Sequence, residues 1–341
     1  MWRAEDQHSV CFRSTDRLSD VVTRIGINVT TEFVMKANFA IAAAVVAAAA
    51  FSLAQLTRAQ THAGLDTAAI EQGTGLKGQL IAEESVFKIT KPRTDVKIQV
   101  DQWTMPPFIG LSSWAAFTPA HIDEQVAMMG DTVVFEDEVN PVMSAAFDAG
   151  LEVTALHNHF FFDEPKVYFM HIGGHGETKA LAAGVKKVYD KISEIRAANP
   201  MPVKSFPGKI ATLNSITAEP LETALGKKGQ ANQGMFKIVI GRTATMHGLP
   251  IGKEMGVNTW AAFAGSDEEA VVDGDFAMLE AELQPVLRSM RKEGINVVAI
   301  HQHMSTEQPR YFFLHYWGKG KAVDLAQSLK RVLDAQAAAK S

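Results

Sequence analysis

The hydrophobic and polar positions of this chain follow two alternating periods. Val86 to Thr90 and Val96 to Val100 are strand candidates either side of the turn-like Pro92-Arg93-Thr94-Asp95, and Ser112 to Phe117 is a third. Val139, Val142, Met143 and Phe147 recur at helical spacing with Gly150 as the stop, and Leu283, Val286, Leu287 and Met290 do the same before Gly294. Pro141 and Pro285 are expected in the first turn of these helices, where a missing N–H costs least. Glu152 to His159 and Lys166 to Ile172 then read as a hairpin, and Leu181, Val185, Val188, Ile192 and Ile195 as a closing amphipathic helix. Asn296 to His303, Arg310 to Trp317 and Val323 to Leu333 are the counterparts, and Pro220 to Leu225 is a short helix between the two sets. This β-α-β-β-α order predicts an α+β fold: two tandem related domains, each an antiparallel sheet covered by helices, in a ferredoxin-like or related sandwich.

The periodicity repeats because the sequence does. Ala155-Leu156-His157-Asn158-His159, Pro165 and His171 return 144 positions later as Ala299-Ile300-His301-Gln302-His303, Pro309 and His315. Trp114-Ala-Ala-Phe117 matches Trp260-Ala-Ala-Phe263, Gly130-Asp131 matches Gly274-Asp275, and Glu138-Val-Asn-Pro-Val142 matches Glu282-Leu-Gln-Pro-Val286. A register held over so many blocks indicates a duplicated unit of ordinary domain size. The expected domains are residues 62–200 and 212–338, joined by a linker at 201–211.

The first sixty residues read differently. Met35-Lys-Ala-Asn, the apolar run Phe39 to Leu53 and the small-residue exit make a signal peptide over 35–59, with cleavage near Ala54 or Ala59, behind a leader (1–34) that precedes the true start. The expected location is periplasmic or secreted, with no stable membrane span in the mature chain. The one cysteine, Cys11, lies in the leader, which excludes thiolate metal sites and disulfides from the mature part. A net charge of −5 without a basic stripe argues against nucleic acid as a partner.

Six of the eleven histidines occupy equivalent places in the two copies. Residues i and i+2 of a strand share a face, so His157 with His159, and His301 with His303, project together. An even hairpin register adds His171 and His315, giving three imidazoles per copy, a set suited to Zn²⁺ or another divalent transition metal with an open position. A register shift of one residue would send His171 to the other face. Glu138 and Glu282 are the candidate proton carriers; Glu164 and Glu307 in the hairpin loops are further carboxylates. Arg93 and Arg242 are matched cations able to clamp an anion or a local acid such as Asp95. His175 in Gly173-Gly-His-Gly176, replaced by Lys319 in copy two, and Trp317, opposite Gly173 in copy one, are candidate ligand-binding residues. Trp114 and Trp260 read as core aromatics. The histidines equally suit a structural role among Phe160 to Phe162 and Tyr311 to Phe313, and His157-x-His159 with Glu164 also has the look of a bicupin-like metalloenzyme, a jelly-roll alternative.

The paired motifs Glu-Val-Asn-Pro-Val, Ala-Leu-His-Asn-His and Met-His-Ile-Gly-Gly-His-Gly, then Trp-Ala-Ala-Phe, Ala-Ile-His-Gln-His-Met and Phe-Leu-His-Tyr-Trp-Gly, resemble the LppY/LpqO family of exported bacterial proteins. That resemblance implies a two-domain exported protein and transfers no reaction; lipid attachment is not expected, because no anchoring cysteine follows the signal segment. Two functions fit: a metal-dependent hydrolase of the cell envelope, or a non-catalytic binding protein for a metal or small envelope ligand.

Overall fold

The computed structural model of the chain describes residues 65–120 and 125–339; the expected leader, signal segment and cleavage points lie outside these. The first repeat runs α1 (Thr67–Thr74), β1 (Gly78–Ile81), β2 (Val86–Pro92), β3 (Gln99–Val100), β4 (Trp103–Thr104), β5 (Ser112–Pro119), β6 (Val126–Phe135), α2 (Glu136–Asp148), β7 (Glu152–His157), β8 (Asp163–Glu164), β9 (Val167–Gly176) and α3 (Thr178–Ala198). The second follows as α4 (Ala218–Leu225), β10 (Gln230–Asn232), β11 (Met235–Gly241), β12 (Ala244–Met246), β13 (Leu249–Ile251), β14 (Asn258–Gly265), β15 (Ala270–Met278), α5 (Glu280–Lys292), β16 (Asn296–His301), β17 (Phe312–Gly320) and α6 (Ala322–Ala338). The expected α+β class and its duplication are both present. In each repeat β6 and β7 are parallel with β9 between them, so β6-α2-β7 is a split β-α-β unit of the ferredoxin-related kind. A jelly roll is excluded by this arrangement.

The two repeats do not keep separate sheets. One antiparallel sheet of twelve strands runs β1-β2-β5-β6-β9-β7-β16-β17-β15-β14-β11-β10, and the order reads the same from either end once equivalent strands are matched. An approximate two-fold axis therefore passes between β7 and β16, where Leu156 pairs with Ile300. Each repeat alone would leave that strand as an unpaired edge, and joining them removes both edges.

Alternation along the strands assigns the faces. Phe87, Ile89, Ala115, Phe117, Leu156, Met170 and Ile172 pack with Val142, Met143, Val185 and Val188 of the helices, and the same apolar cluster continues through Phe236, Phe263, Val286 and Leu314 of the second repeat. One core thus spans both copies. Among the described residues the opposite face carries the linker around Phe206 beside Lys319 and is otherwise covered only toward its far ends. There the small sheet β4-β3-β8 and its loop bury Val96, Ile98, Met105 and Leu111 on Phe169, and the β12–β13 hairpin buries Ala244 and Ile251 near Phe313.

Near the axis β7 and β16 each carry a bulge, between Val153 and Ala155 and between Val297 and Ala299. The backbone groups exposed there are met by an amide side chain from the other repeat. Asn140 of α2 accepts from the N–H of Val297 at 2.8 Å and donates to its carbonyl at 3.1 Å. The equivalent Gln284 of α5 bonds Val153 in the same two ways, at 3.2 and 2.7 Å. Buried backbone groups need such partners.

Two local expectations need correction. Pro141 and Pro285 sit in the second turn, because α2 and α5 begin one turn earlier than the apolar pattern does. The cap is a carboxylate at the third helical position: Glu138 accepts from Phe135 N at 2.9 Å and Glu282 from Leu279 N at 2.8 Å, so no Ser, Thr or Asp announces the start. The Val96 to Val100 strand shrinks to Gln99–Val100, since Val96 and Ile98 plug the far end of the open face instead of extending a ladder.

Candidate metal centre

The histidines project from the uncovered face. Asp131 of β6 pairs with His171 of β9, and His171 with Ala155 of β7; Asp275, His315 and Ala299 repeat this on β15, β17 and β16. Directly opposed residues share a face, and His157 and His301 lie two positions beyond the alanines. The even register therefore holds. β7 and β16 end at His157 and His301. His159 and His303 follow in the loops and fold back onto the strand, stacking on Phe169 and Phe313 with ring centres 3.4 and 3.6 Å apart.

In the second repeat Asp275, His301 and His315 each offer a ligand atom, all within 4.8 Å of one another. Asp275 is 3 % exposed. Its Oδ1, and Nδ1 of His301, are buried without a hydrogen-bond partner. His315 Nδ1 lies 3.3 Å from the Gly274 carbonyl, an acceptor, so Nδ1 carries the proton and Nε2 keeps its lone pair. Burial, then the neighbouring His315 and His303, push His301 down to about 4, so it is a neutral imidazole at ordinary pH. Burial raises Asp275, against the pull of His315 and His303. His303 does not join the donor triangle; it braces it, with Nε2 3.1 Å from Asp275 Oδ2 and Nδ1 3.0 Å from the Gly256 carbonyl. Gly256 has φ +82, and that left-handed turn brings its peptide to the histidine.

The first repeat places the equivalent residues more loosely: among the described residues only the second repeat brings three ligand atoms within 4.8 Å of one another. His157 Nε2 and His171 Nε2 are 3.1 Å apart, close to the separation of about 3.3 Å that two nitrogens 2.0–2.1 Å from a tetrahedral ion would have. Asp131 beside them is 9 % exposed and its Oδ1 is buried without a partner. His159 stands over Phe169, its pKa lowered by burial and then by His157.

The other sequence candidates are placed elsewhere. Glu138 is fully buried and bound by Arg93 through both oxygens, at 2.7 and 2.9 Å, with Arg196 Nε at 2.8 Å from Oε1. Glu282 is held by Arg242, Gln336 and Leu279 N. Neither carboxylate is free to carry protons, and the anion that Arg93 and Arg242 clamp is the protein's own. Glu164 points to Lys204 on the surface. The true counterpart of buried Glu307 is Asp163, and each ties down its hairpin loop by accepting a backbone N–H, from Tyr311 and Val167. His175 is exposed toward the end of β9, four residues and about 13 Å past His171. Trp317 shares a face with His315 and lines a hollow of about 530 Å³ with Phe206, Asp273, Val298 and Lys319. Trp114 and Trp260 are not core residues: they lie on the open face under the ammonium groups of Lys88 and Lys237, at 4.2 and 4.3 Å. Phe161 and Phe162 are exposed, whereas Phe160, Tyr311 and Phe313 pack beside the histidine loops. The site residues that sequence reasoning missed are Asp131 and Asp275, although their pairing across the repeats was a visible signal.

No curated protein matches the chain. Among solved structures, it is similar to a double-ringed trimeric shell protein from the RMM microcompartment, at 12 % identity and a TM-score of 0.18 over 73 % of this chain and 97 % of that one. It is also similar to the trimeric bacterial microcompartment shell protein PduB, at 10 % identity and 0.19 over 76 % and 93 %. Scores this low carry no argument. One family model matches twice, over residues 68–191 and 219–335, the same two copies that build the sheet, and the chain belongs to that family, the Domain of Unknown Function (DUF1259).

Proposed function

We propose that each repeat binds a divalent transition metal, through Asp275, His301 and His315 in the second and Asp131, His157 and His171 in the first, and that the protein is a metal-dependent hydrolase of the cell envelope. One observation carries the reading: two imidazoles and a buried carboxylate converge within 4.8 Å while the carboxylate's Oδ1 has no partner. An unsatisfied buried carboxylate oxygen is costly, and an ion would satisfy it. A Zn²⁺ ion held there supplies a Lewis acid and a bound water acidic enough to ionise near neutral pH. The chain's own groups do the rest. Gly274 O fixes the tautomer of His315, and His303 orients Asp275 and replaces the two glutamates as the proton carrier. The hollow between Trp317 and Phe206 receives the ligand beside His315. Export rests on the Met35 to Ala59 pattern and is tested by the N-terminus of the cell-envelope fraction.

The test is metal content. Protein purified from its own compartment is expected to hold stoichiometric metal, and Asp275→Asn to lose the second-repeat ion with the fold retained by circular dichroism. Failure of both native and Zn²⁺-dialysed protein to retain an ion would falsify the reading. A second reading has a specific observation behind it: two histidines and one carboxylate with open positions also suit Fe²⁺ in oxygen chemistry, and the identity of the native ion separates the two.

A further inference from the structure

The two histidine clusters are next to each other. Leu156 pairs with Ile300 between antiparallel strands, so His157 stands opposite Ala299 and His301 opposite Ala155 on the open face. Joined to the pairs Ala155–His171 and Ala299–His315, this makes two rows across the four central strands: His171, Ala155, His301 and His157, Ala299, His315. Each cluster spans three strands, β6-β9-β7 and β16-β17-β15, so their centres lie on β9 and β17, three strand spacings or about 14 Å apart. Between them the floor is only Ala155 and Ala299, both half-buried, with the approximate two-fold axis passing through it.

We infer that the clusters form one composite site, in which a single two-ended anionic ligand lies across the Ala155–Ala299 floor with an oxygen-bearing group directed to each cluster. This rests on the metal reading above. The chemistry follows from the spacing. Ions about 14 Å apart are too distant to share one oxygen, but subtracting about 2 Å of metal–oxygen bond at each end leaves about 10 Å between donor atoms. That is the span of a medium-length α,ω-dicarboxylate or a comparable dianion. Methyl side chains at both floor positions leave room for an extended chain, and a larger residue at either would fill it.

The experiment loads the intact protein with Cu²⁺ to two ions per chain and measures electron–electron dipolar coupling, then titrates straight-chain α,ω-dicarboxylates of six to twelve carbons. The expected results are a coupling that corresponds to about 14 Å and an affinity optimum within the series. The best chain length should bind at least ~10-fold more tightly than it does to a protein stripped of one site by His301→Ala with His315→Ala, because the second contact is intramolecular. Ala299→Phe should keep both ions and the coupling while abolishing the optimum. Two bound ions with no coupling, or coupled ions with affinity indifferent to chain length in both parent and Ala299→Phe, would overturn the composite site and leave the metal reading standing. No bound ion at all would remove the metal reading first.

Discussion

His303 has an acceptor at each ring nitrogen, the Gly256 carbonyl at one and Asp275 Oδ2 at the other. A neutral imidazole can donate only once, and burial raises the pKa of Asp275 beside it, so a proton shared across the His303–Asp275 contact would meet both acceptors. A divalent cation on Asp275 disfavours that proton. Metal uptake near pH 7 should release about one proton per ion at this site, read with an indicator dye in weak buffer; His303→Gln should lower the count, and an unchanged count would count against the assignment. The buried Arg93–Glu138 pair makes a separate expectation. Arg93→Ala leaves a fully buried carboxylate short of its main partner and should cost about 3–5 kcal/mol in urea unfolding. Arg242→Ala should cost less, because Arg242 and Glu282 are 22 % and 11 % exposed against 5 % and 0 %. Burial raises the Glu282 pKa, but the bonds from Arg242, Leu279 N and Gln336 outweigh it, so the net shift is downward. Its contribution to stability is therefore fully present above the ordinary carboxylate range and is lost as pH falls through the lowered value; Glu282→Gln should flatten that part of the acid unfolding curve. The six histidines were legible in the sequence because they repeat. That Glu138 and Glu282 are spoken for was not, since Arg93 lies 45 residues from Glu138 and only the folded chain brings them together.

Among the elements, the long ones were legible and the short ones were not. α2, α3, α5 and α6 announce themselves through one apolar stripe, and the β7–β9 hairpin through its alternation. β3, β4, β8, β12 and β13, two or three residues each, carry no period to read, yet they build the ends of the open face and so set where the histidines stop. The meeting of β7 with β16 was also hidden, because an apolar strand looks the same whether its neighbour is its own repeat or the other. Asn140 and Gln284 mark that meeting. Replacing either by Ala strands a buried N–H and C=O in the opposite repeat, and each should lower stability by about 1–3 kcal/mol. Hydrogen exchange supplies the local readout: Asn140→Ala should speed exchange at Val297, in the other copy. Faster exchange confined to α2 would show that the amide supports its own helix only.

For the whole molecule, one core and one sheet imply one unfolding event. Calorimetry should give a single transition with matching van't Hoff and calorimetric enthalpies, not one transition per repeat. The first repeat alone, residues 62–200, exposes β7 and the apolar surface around Leu156. It should dimerise by pairing β7 with a second β7, and a monodisperse monomer in sedimentation would contradict the account of the junction. The palindromic order of the strands gives the chain the form of a homodimer whose subunits have been fused end to end. In a true homodimer every substitution appears twice and both sites change in step. Fusion ends that constraint, and its traces are already present where Trp317 takes the place of Gly173 and Lys319 that of His175. Trp317 and Lys319 line the hollow beside His315, so only one half has walled its site with an aromatic ring and a cation. The symmetric scaffold therefore leaves each half free to diverge at its own hollow while the shared core and sheet are kept.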